Sequence, residues 1–308
     1  MTAKLSDYIR KPEGRHEMAV YGLMLLSLVI VLLTTAHGFQ YYRLAPERRA
    51  FHPLNRELRP SGAIGIRMAL LGVACFVGLY LYAIRKKWKR LSKIGKTRNW
   101  LDVHIVLGVS GPVLITFHSA FKTRGLAGAA YWIMIAVMLS GFVGRYLYAQ
   151  IPRRINAAEL TLQEMQTMTD ELTESLHAQN VVPEGELEPL LKVPAKEEVE
   201  ALTVAAALLM MFLNDIKRPF QVARVRRHVL AGARRARTLW GLLPSGENSL
   251  ERIIELARQR SWIAAKIAFM EKTRKVFHLW HVVHRPFSYA FAILVCVHIS
   301  VALLMGYF

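Results

Sequence analysis

Five apolar runs free of Asp, Glu, Lys and Arg punctuate the chain: Met18–Tyr42, Met68–Ile84, Val103–Phe121, Gly125–Gly144 and Pro286–Phe308. The shortest has 17 residues and the longest 25. About 20 apolar residues in a helix cross a hydrocarbon core roughly 30 Å thick. The pattern therefore predicts an all-α membrane protein with five transmembrane helices. Four lie in residues 1–149, and a fifth, in 278–308, belongs to the same membrane domain. Met18–Tyr42 starts late, is long and lacks a small-x-small cleavage site, so it reads as a helix rather than a signal peptide.

Between the fourth and fifth runs the pattern changes. Residues 150–277 are polar and show no strand alternation, which predicts a helical cytoplasmic insert. Within it, Glu159–His177 and Glu197–Asp215 read as helices, separated by a Pro/Gly/Glu-rich loop over Val182–Pro194. The apolar segment Ala201–Leu213 is too short to span, so it packs in a bundle or lies at a surface. A third helix starts near Ser249 and runs towards the fifth span. No G-x-G-x-x-G follows a strand and no P-loop occurs, so neither nucleotide fingerprint is present.

Charge refines this picture. The chain is 53% hydrophobic yet carries a formal net charge of +19. The first 17 residues hold four basic side chains and Arg85–Arg98 holds eight, against five in the first loop, with Arg67 counted in the second span, and two, Lys122 and Arg124, in the third. The positive-inside rule then places the N-terminus and the insert in the cytoplasm and Phe308 outside, as in a bacterial inner membrane. Inside the insert, residues 159–200 contain eleven acids, whereas 217–237 contain eight basic residues and no acid. Such a basic segment suits anionic headgroups, an acidic partner or the acidic half of the insert. Nucleic acid is not an expected partner in this setting. Two cysteines, Cys75 and Cys296, exclude a four-thiolate iron–sulfur cluster, and no C-x-x-C-H exists for covalent haem.

Chemistry enters with the histidines. His104 and His118 are fourteen residues apart in the third run, and His284 and His298 repeat that interval in the fifth. Fourteen helical residues rise about 21 Å and make nearly four whole turns, so each pair returns to one face. Two such helices, running in the same direction, pair His104 with His284 near the cytoplasmic side and His118 with His298 near the outer side. Neutral imidazole is a good axial ligand for haem iron, and ionisable residues inside a membrane are costly enough to imply function. A lone intramembrane histidine is commonly an interhelical hydrogen-bond partner. Two matched intervals on consistent faces favour two haem b groups instead.

Other residues group around that constellation. Gly108, Gly111 and Ile115 share the face of His104 and His118, and Ser288, Phe291 and Val295 that of His284 and His298. The glycines would admit a macrocycle or a neighbouring helix close to the backbone. Arg67, Arg145 and Arg285, taken as buried, are candidate partners for haem propionates or interfacial anchors. His37 is a candidate quinone-site group, proton relay or additional haem ligand, beside the plainer reading of an interfacial histidine. His281 is a possible neighbour of the inner site, although it lies about 60° round the helix from His284. His16, His52, His177 and His228 read as surface residues.

On His104, His118, His284 and His298, with the spans around them, the chain resembles the transmembrane domain of the ferric reductase and NADPH oxidase superfamily. It is also similar to bacterial cytochrome b subunits of membrane redox complexes. The resemblance implies an electron-transfer subunit with two haem b groups, membrane lipid around it and redox partner subunits in a multi-subunit complex. It departs from the reductases in lacking the flavin and nicotinamide domain and in carrying the insert. The donor is then another subunit, a soluble partner or a quinol. The alternatives are a quinol-oxidising or metal-reducing enzyme with its own substrate site, and a haem-free, histidine-lined metal transporter. The last would call for carboxylates in the spans, and the apolar runs contain none.

Overall fold

A computed structural model of the chain describes residues 12–150, 166–167, 170–171, 173–174, 184–230, 243–244 and 248–306. Among them the regular structure is all helical, and five helices are long and apolar enough to cross a membrane. The chain divides into two compact units, 1–143 with 282–308, and 144–281.

The first unit is built on α1 (Pro12–Arg43), α3 (Ala63–Lys87), α5 (Thr97–His118), the first part of α6 (Gly125–Gln150) and the end of α10 (Asn248–Leu304). Two one-turn helices, α2 (Asn55–Leu58) and α4 (Lys89–Ser92), lie in the connections on either side of α3. α3 and α5 form the closest helix pair because small residues face large ones. A Cβ on Gly72 would come 2.6 Å from the Ile115 side chain, and one on Gly111 would come 2.8 Å from Phe76. Backbones approach this closely where a side chain is missing.

Two arginines close the ends of this pair. Arg85, 4% exposed, donates to the carbonyls of Ser92, Ile94 and Gly95 and to the Thr97 hydroxyl. Arg49, 5% exposed, donates to the carbonyls of Leu44, Tyr42 and Ala120. Each guanidinium supplies five donors in a planar fork, so one side chain satisfies several loop carbonyls at once.

α5 ends sooner than its apolar run predicts. His118 is its last residue, and the Phe121 amide bonds back to the Thr116 carbonyl while Ala120 bonds to Phe117. This is the Schellman pattern of a helix C-terminus. Its left-handed position is Ala120 (φ 46°), followed by Phe121 (φ 60°), where glycine is the usual residue. Ala120 is fully buried between Tyr41 and Leu58, and its carbonyl accepts from Arg49. Those contacts hold a conformation that costs about 1 kcal/mol or more for a non-glycine residue.

The second unit contains the rest of α6, α7 (Glu184–Leu191), α8 (Lys196–Ala201), α9 (Val204–Val229) and the start of α10. Two expectations are corrected here and one is met. The segment Val182–Pro194 is not a loop throughout, since Leu187 and Leu190 of α7 bury against Val222, Val225, Ile253 and Ile254. The helix expected over Glu197–Asp215 breaks at Leu202, restarts with Thr203 capping the Ala206 amide, and continues through Pro219 to Val229. The helix from Asn248 runs without interruption into the fifth apolar run, through Pro286. The expected helix over Glu159–His177 falls largely outside the described residues.

Within the second unit Arg226 is nearly buried and makes a two-point ion pair with Glu251 (3.0 and 2.6 Å). Trp280 fills the space left by Gly144, where a Cβ would lie 2.1 Å from the ring. Lys266 is also buried, donates to the Ala149 carbonyl and sits 3.5 Å above the Trp262 ring centroid.

Candidate functional site

All four histidines of the repeated interval belong to the first unit. His104 is within electrostatic range of His284, and His118 of His298. The two pairings lie fourteen residues apart along each helix, as two levels.

Between the levels lies an apolar plug. Phe76 of α3 and Phe291 of α10 meet edge-on at 4.9 Å and are buried with Met134 of α6. Ile115 and Val295 pack against the same cluster. Ile115, Phe291 and Val295 share a face with the histidines in the helical register, and on that face of α10 Phe291 is buried while His298 is exposed. Tyr80 ties the plug to α10 by donating to the Ser288 carbonyl at 2.6 Å.

Hydrogen bonding holds Nδ1 of one ring in each pair. His118 Nδ1 lies 3.0 Å from the Gly65 carbonyl oxygen, which only accepts, so Nδ1 carries the proton and the lone pair is on Nε2. His284 Nδ1 lies 2.7 Å from Ser140 Oγ, and that hydroxyl is also 2.8 Å from the Val137 carbonyl oxygen. A ring whose Nδ1–H is anchored and whose Nε2 presents a lone pair is the usual state of a metal-binding histidine.

The other two rings are held differently. His104 is partly buried beside Tyr82 (ring centroids 5.1 Å), and its Nδ1 is fully enclosed with no hydrogen-bond partner. The Leu79 carbonyl is near that ring without forming a bond of normal geometry to Nδ1. His298 is exposed along α10. An enclosed, unsatisfied imidazole nitrogen costs on the order of 1–3 kcal/mol unless something else compensates it.

The surrounding residues divide. Gly111 is used for helix packing against Phe76 and Cys75, whereas a Cβ on Gly108 would meet only Leu79, at 3.7 Å. Arg67, Arg145 and Arg285 are exposed rather than buried. The buried arginines are Arg49, Arg85 and Arg226, which sequence position did not single out, since their burial comes from loop carbonyls and a carboxylate distant in the chain. His37 is half exposed, 3.5 Å from the Glu57 carboxylate. His281 lies in the second unit, its Nδ1 on the Phe277 carbonyl and its ring against Phe277 and Trp280. His16 is not a plain surface residue: its side chain is 17% exposed, and Nε2 lies 3.5 Å from the Asp102 carboxylate. Both cysteines are unpaired.

Among the described residues no three His, Cys, Asp or Glu side chains converge. No protein-family model, curated protein or solved structure matches this chain. Fold and composition define a helical protein with membrane-length apolar helices, and the site must be judged on its own geometry.

Proposed function

We propose that the chain is a di-haem b-type cytochrome, an electron-transfer subunit that conducts electrons across the membrane between a redox partner or quinone pool and an acceptor. The observation that carries this reading is the pair of anchored rings: His118 and His284, one in each level, both have Nδ1 on a hydrogen-bond partner from the protein, as metal-binding histidines commonly do. Each level offers two imidazoles, the number of axial positions on a haem iron. A histidine-lined site for a hard divalent cation would also draw on carboxylates, and the apolar runs contain none, which counts against the metal transporter. Haem at each level supplies one-electron redox chemistry.

The chain's own contributions follow from its residues. His104 and His284 would hold one haem, His118 and His298 the other. Ser140 and the Gly65 carbonyl orient the anchored rings and raise their basicity. Phe76, Phe291 and Met134 exclude water between the levels. In this reading the protein crosses the membrane five times, with the N-terminus and the 150–277 region cytoplasmic, as in a bacterial inner membrane. Redox partner subunits dock at either face. A quinol-oxidising or ferric-reductase-like enzyme is the second reading, favoured by the His37–Glu57 contact, which places an imidazole beside a carboxylate where a quinol could give up a proton.

The test is a reduced-minus-oxidised spectrum with haem quantitation on the purified chain. Low-spin b-type bands at about two haems per chain support the proposal. A preparation that stays haem-free when haem is supplied during expression overturns it.

A further inference from the structure

The outward face of α9 is unlike the rest of the second unit. Ala207, Met211, Val222, Val225 and Arg226 are buried along its inner side, and Ala223, which follows Phe220 on the outer line, is buried as well, so the exposed face ends at Phe220. Leu209, Phe212, Leu213, Ile216 and Phe220 are 41–63% exposed. At 100° per residue these five fall within an arc of about a hundred degrees, directly opposite Ala207, Met211, Val222 and Val225. Five large apolar side chains in one unbroken stripe form a surface that soluble proteins rarely leave in water.

Charge around the stripe says what suits it. Lys217 and Arg224 are exposed along one edge of it, and Arg227, half-buried with Nε on the Ala223 carbonyl, lies in its line beyond Phe220. The single acid of α9, Asp215, is on the inner side, where it accepts from Tyr146 and Gln150 at 2.8 Å. An apolar face edged with basic residues and empty of acids is the signature of a helix lying in the interface of an anionic bilayer. The chain enters this unit through α6 and leaves it through α10, both carrying membrane-length apolar segments. The unit is thereby tethered to a membrane at both ends.

We propose that α9 is a membrane-surface anchor. Its Leu209–Phe220 stripe is seated among lipid acyl chains, and Lys217, Arg224 and Arg227 engage the phosphates of an anionic leaflet. The assignment is independent of haem.

The test uses the full-length chain in lipid nanodiscs, with Cys75 and Cys296 changed to Ala and one cysteine introduced by Ile216→Cys. Labelling by a membrane-impermeant maleimide is timed in discs of phosphatidylcholine and in discs containing about one-third phosphatidylglycerol. Labelling about tenfold slower in the anionic discs is expected. Glu255→Cys, at an exposed acidic position of α10, should label equally fast in both. Adding Lys217→Glu and Arg224→Glu should restore fast labelling, at about fivefold per basic residue. Circular dichroism confirms that each variant is folded. Fast labelling of position 216 in both discs overturns the proposal. So does slow labelling that ignores lipid and charge reversal, which means a protein surface covers the stripe. Cross-linking between two chains at position 216 would then identify a second copy, and its absence another segment of the same chain.

Discussion

The two histidine levels of the first unit resemble each other in composition and differ in how each ring is held. At one, His118 is anchored on a backbone carbonyl, and its helix ends at that residue in a buried turn clamped by Arg49. At the other, His284 is anchored on a serine hydroxyl, and His104 is enclosed with Nδ1 unsatisfied. A carbonyl oxygen is fixed by the helix to which it belongs, whereas a hydroxyl can be removed by one substitution. Equal ligands therefore do not make equal sites. The first level is secured by the backbone and the second by side chains.

Four predictions test that contrast. On the proposed function the largest effect is loss of cofactor: His284→Ala or His104→Ala should remove one of two haem equivalents and leave the other, as read by the pyridine haemochrome assay. Two full equivalents after either change would break the pairing. Phe291→Ala should strike both levels alike, costing about 4 kcal/mol as the plug loses an aromatic ring. Thermal unfolding of the intact chain would read that loss, and cofactor should then be lost from both levels in parallel. Arg49→Ala should be selective, since it strips donors from the Leu44, Tyr42 and Ala120 carbonyls at a cost of about 2–3 kcal/mol. Cofactor should then be released first from the His118 level. Ser140→Ala is the smallest. Without its acceptor, the His284 Nδ1–H donates less electron density through the ring, so the midpoint potential of that haem should rise. The rise should be about 40 mV, the one-electron equivalent of about 1 kcal/mol. Redox titration showing no shift, or a shift of the other haem, would remove Ser140 from the site.

Much of the fold is legible in hydropathy because a membrane-length helix declares itself by length alone. The fourteen-residue interval is legible for a similar reason, as helical register repeats within the segment. What sequence does not display are partners supplied by another helix. Nothing local marks the Gly65 carbonyl or Ser140 as ring anchors; they emerge when α3 and α6 pack against α5 and α10. The end of α5 is hidden because Ala120 occupies a position normally marked by glycine. Pro189 and Gly185 disguise α7, whose helix is held by the burial of Leu187 and Leu190. The arginines teach the same lesson. Arg67, Arg145 and Arg285 sit beside apolar runs and remain exposed, whereas Arg85, equally beside such a run at the end of α3, and Arg49, in the first connection, are buried because clustered carbonyls draw a guanidinium inward.

The pairing of α5 with α10 also sets an order of manufacture. His118 and His284 are 166 residues apart, which at cellular synthesis rates is roughly 10–30 s of translation. For that interval α5 stands, on the proposed function, in the membrane with half of each ligand set. On the proposed function, haem cannot be locked in until α10 arrives, and a ribosome stalled within the second unit would leave a protein inserted but colourless. Cofactor loading would then report completion of the chain.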